Sequence, residues 1–241
     1  MIQRTTRPEH EVLARDLSRT VYAIDLRNHG DSSHSPQHDY SSMASDVECF
    51  VQEMKLEKPT LIGHSMGAKA AMAVALRKRV KVANLIPVDN APVDAALKTN
   101  FHDYVKGMKE IEGAQVQKQS EADAILQKYE NALPIRQFLL TNLMRNEDGK
   151  YVWRVPLKWL SSSLGKMGDF PFTNPDEVRY EGPTLMVRGT KSPYVADEML
   201  PIVGRFFPKF ELRDIDAAHW VISEKPEEFR TAVVEWLQDK E

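Results

Sequence analysis

The sequence has one cysteine among its 241 residues, Cys49, so the chain has no second thiol for an internal disulfide. Such a low cysteine content is typical of a reducing compartment or an organelle matrix. Cys49 falls within an apolar helical pattern, which predicts a buried helix thiol rather than a reactive one.

The chain also lacks an excess of positive charge, since 32 Lys and Arg stand against 35 Asp and Glu, for a formal net charge of −3 at pH 7. This balance argues against a nucleic-acid-binding protein, for which a basic surface is the usual footprint. No apolar run approaches the roughly 20 residues that span a membrane. The opening residues show no secretory-signal pattern.

Strands and helices alternate at both ends of the sequence. Compact apolar segments predict strands at 21–25, 59–63, 82–89, 184–189 and 210–215. The alternation predicts a mostly parallel sheet covered by helices on both faces. Between about 91 and 180 apolar residues recur every three or four positions, as in helices. We therefore expect residues 1–90 and 181–241 to form the two parts of the core, and residues 91–180 to form a helical cap over the sheet's carboxyl edge.

The segment "PTLIGHSMGAKAAM" places Gly63-His64-Ser65-Met66-Gly67 between a predicted strand and a predicted helix. A G-x-S-x-G sequence in that setting is the signature of a nucleophile elbow, whose tight turn needs small residues two positions on either side of the serine. It predicts Ser65 as a nucleophile and the backbone N–H of Met66 as a donor to a developing oxyanion. His64 is expected to pack in the turn or to line the substrate pocket.

A serine nucleophile needs a general base and an acid that orients the base, in the chain order Ser, Asp, His. His219 follows the last predicted strand, in "DIDAAHWVISEKP", and is the predicted base. Two positions remain open for the acid. Asp89 follows the strand after the elbow helix, whereas Asp197 lies beyond the penultimate strand, where Ser192 holds the nearer position. We favour Asp89.

Aromatic residues of the predicted cap are candidates for an apolar acyl pocket. They are Phe101, Tyr104, Phe138 and Trp159. Taken singly, each is more simply explained by packing between cap and core. Phe138 and Trp159, together with His64, are the predicted substrate contacts.

Several motifs together resemble one known family. They read "DLRNHGDSSHSP", "LIGHSMGAKAAM", "IPVDNAPV", "PIRQFLLTNL", "RGTKSPYV" and "AHWVISEKP". They resemble the mitochondrial α/β-hydrolases that include the fungal ethanol acetyltransferases and, more distantly, YbfF-type bacterial esterases. The likeness extends from about Glu9 to the C-terminus. It implies the α/β-hydrolase fold with a helical cap, an Asp89 that matches the family's acid, and a mitochondrial location, with the cytoplasm as the alternative.

The resemblance also implies a substrate class. We expect a small-molecule ester, thioester or acyl-CoA, attacked through an acyl-serine intermediate, with no metal or cofactor and no nucleic acid or transmembrane segment involved. Two alternatives remain open. An alcohol acyltransferase, making ethyl acetate from acetyl-CoA and ethanol, differs from an esterase in preferring alcohol to water. A catalytically impaired chain could instead act as an interaction protein.

The sequence departs from that family before its first helix. Family members have an earlier strand ending in a His-Gly loop, whose backbone N–H completes the oxyanion hole. Only "MIQRTTRPE" precedes the first helix here, and it contains neither feature. We therefore expect the sheet to lack its opening strands, as in a truncated sequence, and the site to lack its second oxyanion donor. Segments 21–25 and 59–63 should then pair directly or leave two apolar edges open.

Overall fold

The computed structural model describes residues 8–94 and 101–240. Its α-helices are α1 (Pro8–Asp16), α2 (Tyr40–Glu53), α3 (Met66–Arg77), α4 (Phe101–Ala114), α5 (Gln119–Leu126), α6 (Leu133–Leu140), α7 (Leu157–Ser163), α8 (Leu200–Phe206), α9 (Val221–Glu224) and α10 (Pro226–Gln238). Its strands are β1 (Thr60–His64), β2 (Asn84–Val88), β3 (Leu143–Arg145), β4 (Tyr151–Trp153), β5 (Thr184–Gly189) and β6 (Phe210–Ile215). Short 3₁₀ turns cover Leu164–Met167 and Asp197–Met199.

Four parallel strands form the central sheet in the order β1-β2-β5-β6. Successive residues of β2 point to opposite faces, as expected for a strand. Leu85 packs with Met72 of α3 and Phe206 of α8 on one face. Its neighbour Ile86 packs with α1 and α10, including Trp236, on the other. The predicted parallel sheet with helices on both faces is therefore confirmed.

The β1 side of the sheet differs from the prediction. Residues 21–25 contain only a single bridge, at Ile24, so the strand predicted there is wrong. A slot of about 1160 Å³ is lined both by this segment and by β1, and the described residues form no regular pairing across it. β1 ends the strand order and faces the slot. Its Ile62 is 38% exposed, so β1 is only half-buried.

Helix α2 corrects a second expectation. It buries one face against the core, formed by Met43, Ala44, Val47 and Val51. Cys49 lies outside that face and is exposed. The predicted burial of its thiol is therefore wrong, because the helix presents the Met43–Val47–Val51 stripe inward instead.

The cap comprises α4 to α7 and an antiparallel hairpin of β3 and β4. These elements share an apolar cluster of their own, in which Trp153 is buried and donates its indole N–H to the Met108 carbonyl at 2.9 Å. Tyr104 is also buried in this cluster, and its hydroxyl bonds to Glu130 at 2.5 Å. Tyr104 therefore packs within the cap, and its role in an acyl pocket stays a prediction.

A buried lysine joins the cap to the core. Lys69 lies on α3 with only 2% of its surface exposed, and its ammonium donates to the carbonyls of Val93 (2.9 Å), Gly168 (2.7 Å) and Asp169 (3.0 Å). Val93 lies where the chain leaves the core for the cap, whereas Gly168 and Asp169 lie where it returns. One buried charge thus fixes both connections to the helix that begins at the elbow.

Lys69→Met is expected to lower the free energy of unfolding by about 1–3 kcal/mol at pH 7, because three carbonyls lose a charged donor. Burial lowers the pKa of Lys69 to about 8 from its usual 10.5. Between pH 8 and 10.5 the Lys69 amine is protonated in the unfolded chain but largely neutral in the folded one. The free energy of unfolding of the wild type therefore rises with pH relative to that of Lys69→Met, by about 1–2 kcal/mol from pH 8 to 9.5.

Urea unfolding of wild type and Lys69→Met at several pH values measures the difference between their free energies of unfolding. The contributions of the other titrating groups cancel in that difference. Lys166→Met, at an exposed position, is the matched control and should show no such trend. A difference between wild type and Lys69→Met that stays constant from pH 8 to 9.5 would contradict the prediction.

The polar loop after residue 25 gives the cap a second attachment. Asn28 is fully buried, with a φ of 67°, and its side chain exchanges two hydrogen bonds with the Ser35 backbone, at 2.7 and 2.9 Å. This ordered loop places the His34 Nε2–H to donate to the Arg154 carbonyl at 3.0 Å. The Arg154 guanidinium also pairs with Asp31. The cap is therefore held from two sides of the core.

Candidate active site

Ser65 lies at the sharp turn between β1 and α3. Its backbone has φ 55° and ψ −114°, a combination that residues with a side chain rarely adopt, so the turn holds Ser65 under strain. The Ser65 N–H donates to the Val88 carbonyl at 2.9 Å, and its carbonyl accepts from the Ala68 N–H at 3.0 Å. These bonds fix the turn at the carboxyl ends of β1 and β2.

The two glycines of the elbow are not equivalent. A Cβ atom at position 63 would lie 2.1 Å from the carbonyl oxygen of Gly67, so only glycine fits there. A Cβ atom at position 67 would meet no atom of the described residues within 4 Å. The motif predicts a small residue at both positions, but the structure requires one only at Gly63.

Gly63→Ala is expected to lower the free energy of unfolding by about 3 kcal/mol or more, because the added methyl group overlaps a backbone carbonyl that cannot move without opening the turn. Gly67→Ala is the matched control. It lies in the first turn of α3 and should leave stability unchanged or raise it by up to about 1 kcal/mol. Urea unfolding measures both. Equal effects of the two substitutions would show that the close approach at Gly63 does not control the turn.

Hydrogen bonds link Ser65, His219 and Asp89. His219 Nε2 lies 2.9 Å from Ser65 Oγ, and His219 Nδ1 lies 2.7 Å from Asp89 Oδ2. Because a carboxylate oxygen only accepts, Nδ1 carries the proton and Nε2 is free to accept the serine hydroxyl. The structure thus brings together the predicted nucleophile, base and acid from three separate strand ends, in an arrangement that can activate a nucleophile.

Asp89 is fully buried directly after β2, with a φ of 52°. Its Oδ1 accepts from the Gly189 N–H at 3.0 Å, and its Oδ2 accepts from the Ser192 hydroxyl as well as from His219. These donors orient the carboxylate towards the imidazole. By contrast, the Asp197 side chain is 81% exposed and pairs with Arg188. The geometry favours Asp89 over Asp197 as the orienting acid.

The His64 side chain contacts the backbone of His219, the predicted base. The His64 Nε2–H donates to the His219 carbonyl at 2.7 Å, which holds the loop that carries the base. Burial lowers the pKa of His64, while the bond to the His219 carbonyl acts in the opposite direction. The contact between His64 and substrate stays a prediction.

The predicted aromatic contacts lie in different places. Phe138, on α6, packs against Trp220 with ring centroids 4.6 Å apart, and Trp220 directly follows His219. Phe138 is nevertheless 49% exposed, which leaves much of its ring available to a ligand. Trp159 stands edge-on to His34, at 6.4 Å. Phe138 therefore lies beside the loop of the base, whereas Trp159 lies beside the first polar loop.

Met66 begins α3, and its N–H belongs to the first turn, where backbone N–H groups have no partner within the helix. This position agrees with the predicted oxyanion donor. The prediction that a second donor is missing stays a prediction, and residues 1–7, on which it partly rests, lie outside the described residues.

Three residues at the site escaped prediction or were given no role. Trp220 could have been found from its position next to His219. The sequence places Ser192 where a possible acid would lie, but it does not predict that the Ser192 hydroxyl donates to Asp89. Tyr194 lies against the His219 ring, and nothing in the local sequence indicates that contact.

Residues 8–94 and 101–240 contain neither a metal-binding cluster nor a membrane-spanning helix. No group of three or more His, Cys, Asp or Glu side chains in this part of the chain could hold a metal ion. In the same residues, every helix is too short or too polar to span a membrane.

Comparison with known proteins places the site in a family context. Residues 7–226 match the family model described as alpha/beta hydrolase fold. The chain is 41% identical to an abhydrolase domain-containing protein of Schizosaccharomyces pombe, over 92% of this chain and 83% of that one. It is 38% identical to a probable alcohol acetyltransferase of Saccharomyces cerevisiae (95% and 72% covered) and to an sn-1-specific diacylglycerol lipase of Danio rerio (94% and 72%). A solved marine microorganism esterase superposes with a TM-score of 0.87 at 30% identity, covering 93% of this chain and 88% of that one.

Proposed function

The chain belongs to the α/β-hydrolase family, and we propose that Ser65, His219 and Asp89 are the triad with which it hydrolyses small-molecule esters. The family match and the esterase, lipase and acetyltransferase relatives identify it as an enzyme acting on esters. The assignment of catalytic roles to individual residues is our proposal.

The proposed reaction has two steps. His219 Nε2 takes the proton from Ser65 Oγ as that oxygen attacks the acyl carbonyl carbon. The Met66 N–H stabilises the tetrahedral oxyanion. His219 then returns the proton to the leaving alcohol, and an acyl-Ser65 ester remains. In the second step His219 takes a proton from water as the water oxygen attacks the acyl carbon. The bond from that carbon to Ser65 Oγ then breaks, His219 returns the proton to Oγ, and the acid is released.

One observation carries the proposal: the unbroken hydrogen-bond chain from Ser65 Oγ through the imidazole to the buried Asp89, with distances of 2.9 and 2.7 Å. A serine in an ordinary glycine-rich turn would need no base at hydrogen-bond distance. The Asp89 bond holds the imidazole in the tautomer that can accept the serine proton.

Labelling with a fluorophosphonate probe tests the proposal. We expect one adduct, located on Ser65 by mass spectrometry of the folded protein, together with hydrolysis of p-nitrophenyl acetate. Ser65→Ala should abolish both, whereas Ser162→Ala, on cap helix α7, should abolish neither. Folded protein that gains no adduct on Ser65 would exclude the triad proposal and favour the impaired interaction protein.

Alcohol acyltransfer is a second candidate, because relatives include the probable alcohol acetyltransferase and, at 26% identity over 95% of this chain, ethanol acetyltransferase 1 of Cyberlindnera fabianii. It would use the same acyl-Ser65 ester with ethanol in place of water, and acetyl-CoA as the acyl donor. The ratio of ethyl acetate to acetate, measured over rising ethanol concentrations, tests it. Acetate as the sole product at every ethanol concentration would exclude acyltransfer and leave the esterase proposal intact.

A mitochondrial location is a further proposal, and only the family resemblance supports it. Fractionation of the source cells with an antibody against the chain would test it. Recovery outside the mitochondrial fraction would exclude it.

A further inference from the structure

The ring of Tyr194 stacks on the imidazole of His219. The two ring centroids lie 4.2 Å apart and the ring planes are tilted by 32°. The rings are tilted rather than parallel, but at this separation the tyrosine ring packs directly against the imidazole. None of the sequence motifs assigns a role to Tyr194, and the proposed reaction does not use it.

Stacking supplies a restraint that the triad hydrogen bonds lack. The bonds from His219 to Asp89 and to Ser65 are made by the two ring nitrogens, whose N–H and lone pair are directed in the plane of the imidazole. They therefore fix its rotation within that plane, but they resist displacement out of the plane only weakly. A ring packed against the imidazole face blocks that displacement directly.

The backbone holds Tyr194 in place. Pro193 precedes it and restricts the chain, and Val195 follows with only 1% of its surface exposed in the core. The Tyr194 N–H also donates to the Ser192 hydroxyl oxygen at 3.3 Å, and that hydroxyl donates to Asp89. One short loop after β5 thus reaches both the acid and the base.

The stacked ring also favours one charge state. His219 becomes an imidazolium as it takes the serine proton, and a cation is attracted to the negative face of an aromatic ring. The attraction is stronger in the transition state than in the resting enzyme, which is the condition for a contribution to rate.

We propose that Tyr194 is a positioning residue, whose ring holds the His219 imidazole in line and favours its protonated form during the reaction. This inference rests on the proposed function of Ser65 and His219.

Four other groups act on His219 from the elements around it: Asp89 after β2, Ser65 and His64 at the elbow, and Glu224 of α9. Glu224 accepts the backbone N–H groups on either side of His219, from Ala218 at 2.9 Å and Trp220 at 3.2 Å.

Two substitutions separate the ring from the hydroxyl. Tyr194→Leu removes the aromatic face but keeps an apolar side chain, and should lower kcat for p-nitrophenyl acetate by about 2- to 30-fold, the range for a cation–π contact. Tyr194→Phe keeps the ring and should stay within about 2-fold of wild type. We expect KM to change little in both.

Fluorophosphonate labelling of wild type separates the two proposals, because failure to label Ser65 overturns the proposed function itself. If wild type labels but Tyr194→Leu keeps the wild-type kcat, only the inference about Tyr194 is overturned. It is also overturned if Tyr194→Phe loses as much kcat as Tyr194→Leu, or if the loss lies in KM. Circular dichroism checks folding, and Tyr194→Met replaces Tyr194→Leu if the latter does not fold.

Discussion

His219→Gln is expected to lower kcat for ester hydrolysis by about 10⁴- to 10⁶-fold, the range seen when a triad base is removed. An amide cannot accept and return a proton at neutral pH, so Ser65 would remain an unactivated hydroxyl. The loss should fall on kcat rather than KM, since His219 acts on the reacting proton. Labelling of Ser65 by the fluorophosphonate should slow in parallel.

His102→Gln is the matched control for this prediction. His102 lies exposed on cap helix α4 and is not part of the hydrogen-bond chain from Ser65 to Asp89, so its substitution should leave kcat within about 2-fold of wild type. Steady-state hydrolysis of p-nitrophenyl acetate measures both variants. A His219→Gln variant that retains more than a few per cent of wild-type kcat would show that another group acts as the base.

Asp89→Asn is expected to lower kcat by about 10³- to 10⁴-fold with little change in KM. An asparagine amide that donates to His219 Nδ1 would select the tautomer with its proton on Nε2, which can no longer accept from Ser65. The substitution is nearly isosteric, so the fold should persist. The asparagine carbonyl oxygen could still accept from the Gly189 N–H.

Asp197→Asn tests the alternative acid with the same chemical change. Its exposed carboxylate pairs with Arg188, which also binds Asp214 at 2.7 Å, so the loss of one partner should be tolerated. We expect its kcat to stay within about 2-fold of wild type. A larger loss in Asp197→Asn than in Asp89→Asn would reverse the assignment of the acid.

The sequence could predict the parts of the site that depend on local structure. The elbow was predictable because a strand, a glycine-bounded serine and a small-residue helix follow one another without a break. The positions of Asp89 and His219 followed from strand order, since the carboxyl ends of parallel strands meet at one edge of the sheet. Strands β5 and β6 have the bounds that their patterns predict.

The parts that could not be predicted depend on distant contacts. Lys69 reads as an ordinary polar position on a helix, and its three carbonyl partners lie 24, 99 and 100 residues away. Tyr194 reaches His219 only because the β5 and β6 loops converge. Segment 21–25 has a strand-like composition, but a strand also needs a neighbouring strand at pairing distance. Here a slot lies between this segment and β1 instead.

The positive φ angles of Ser65 and Asp89 lower the stability of the fold at two residues that the proposed reaction needs. Backbone strain of this kind costs about 1–3 kcal/mol per residue, an appreciable part of the about 5–15 kcal/mol that keeps a typical domain folded. Glycine would relieve that strain at either position but would remove a side chain that the proposed reaction uses. A programme of stabilisation guided by backbone geometry alone would therefore include two positions that the proposed chemistry requires unchanged.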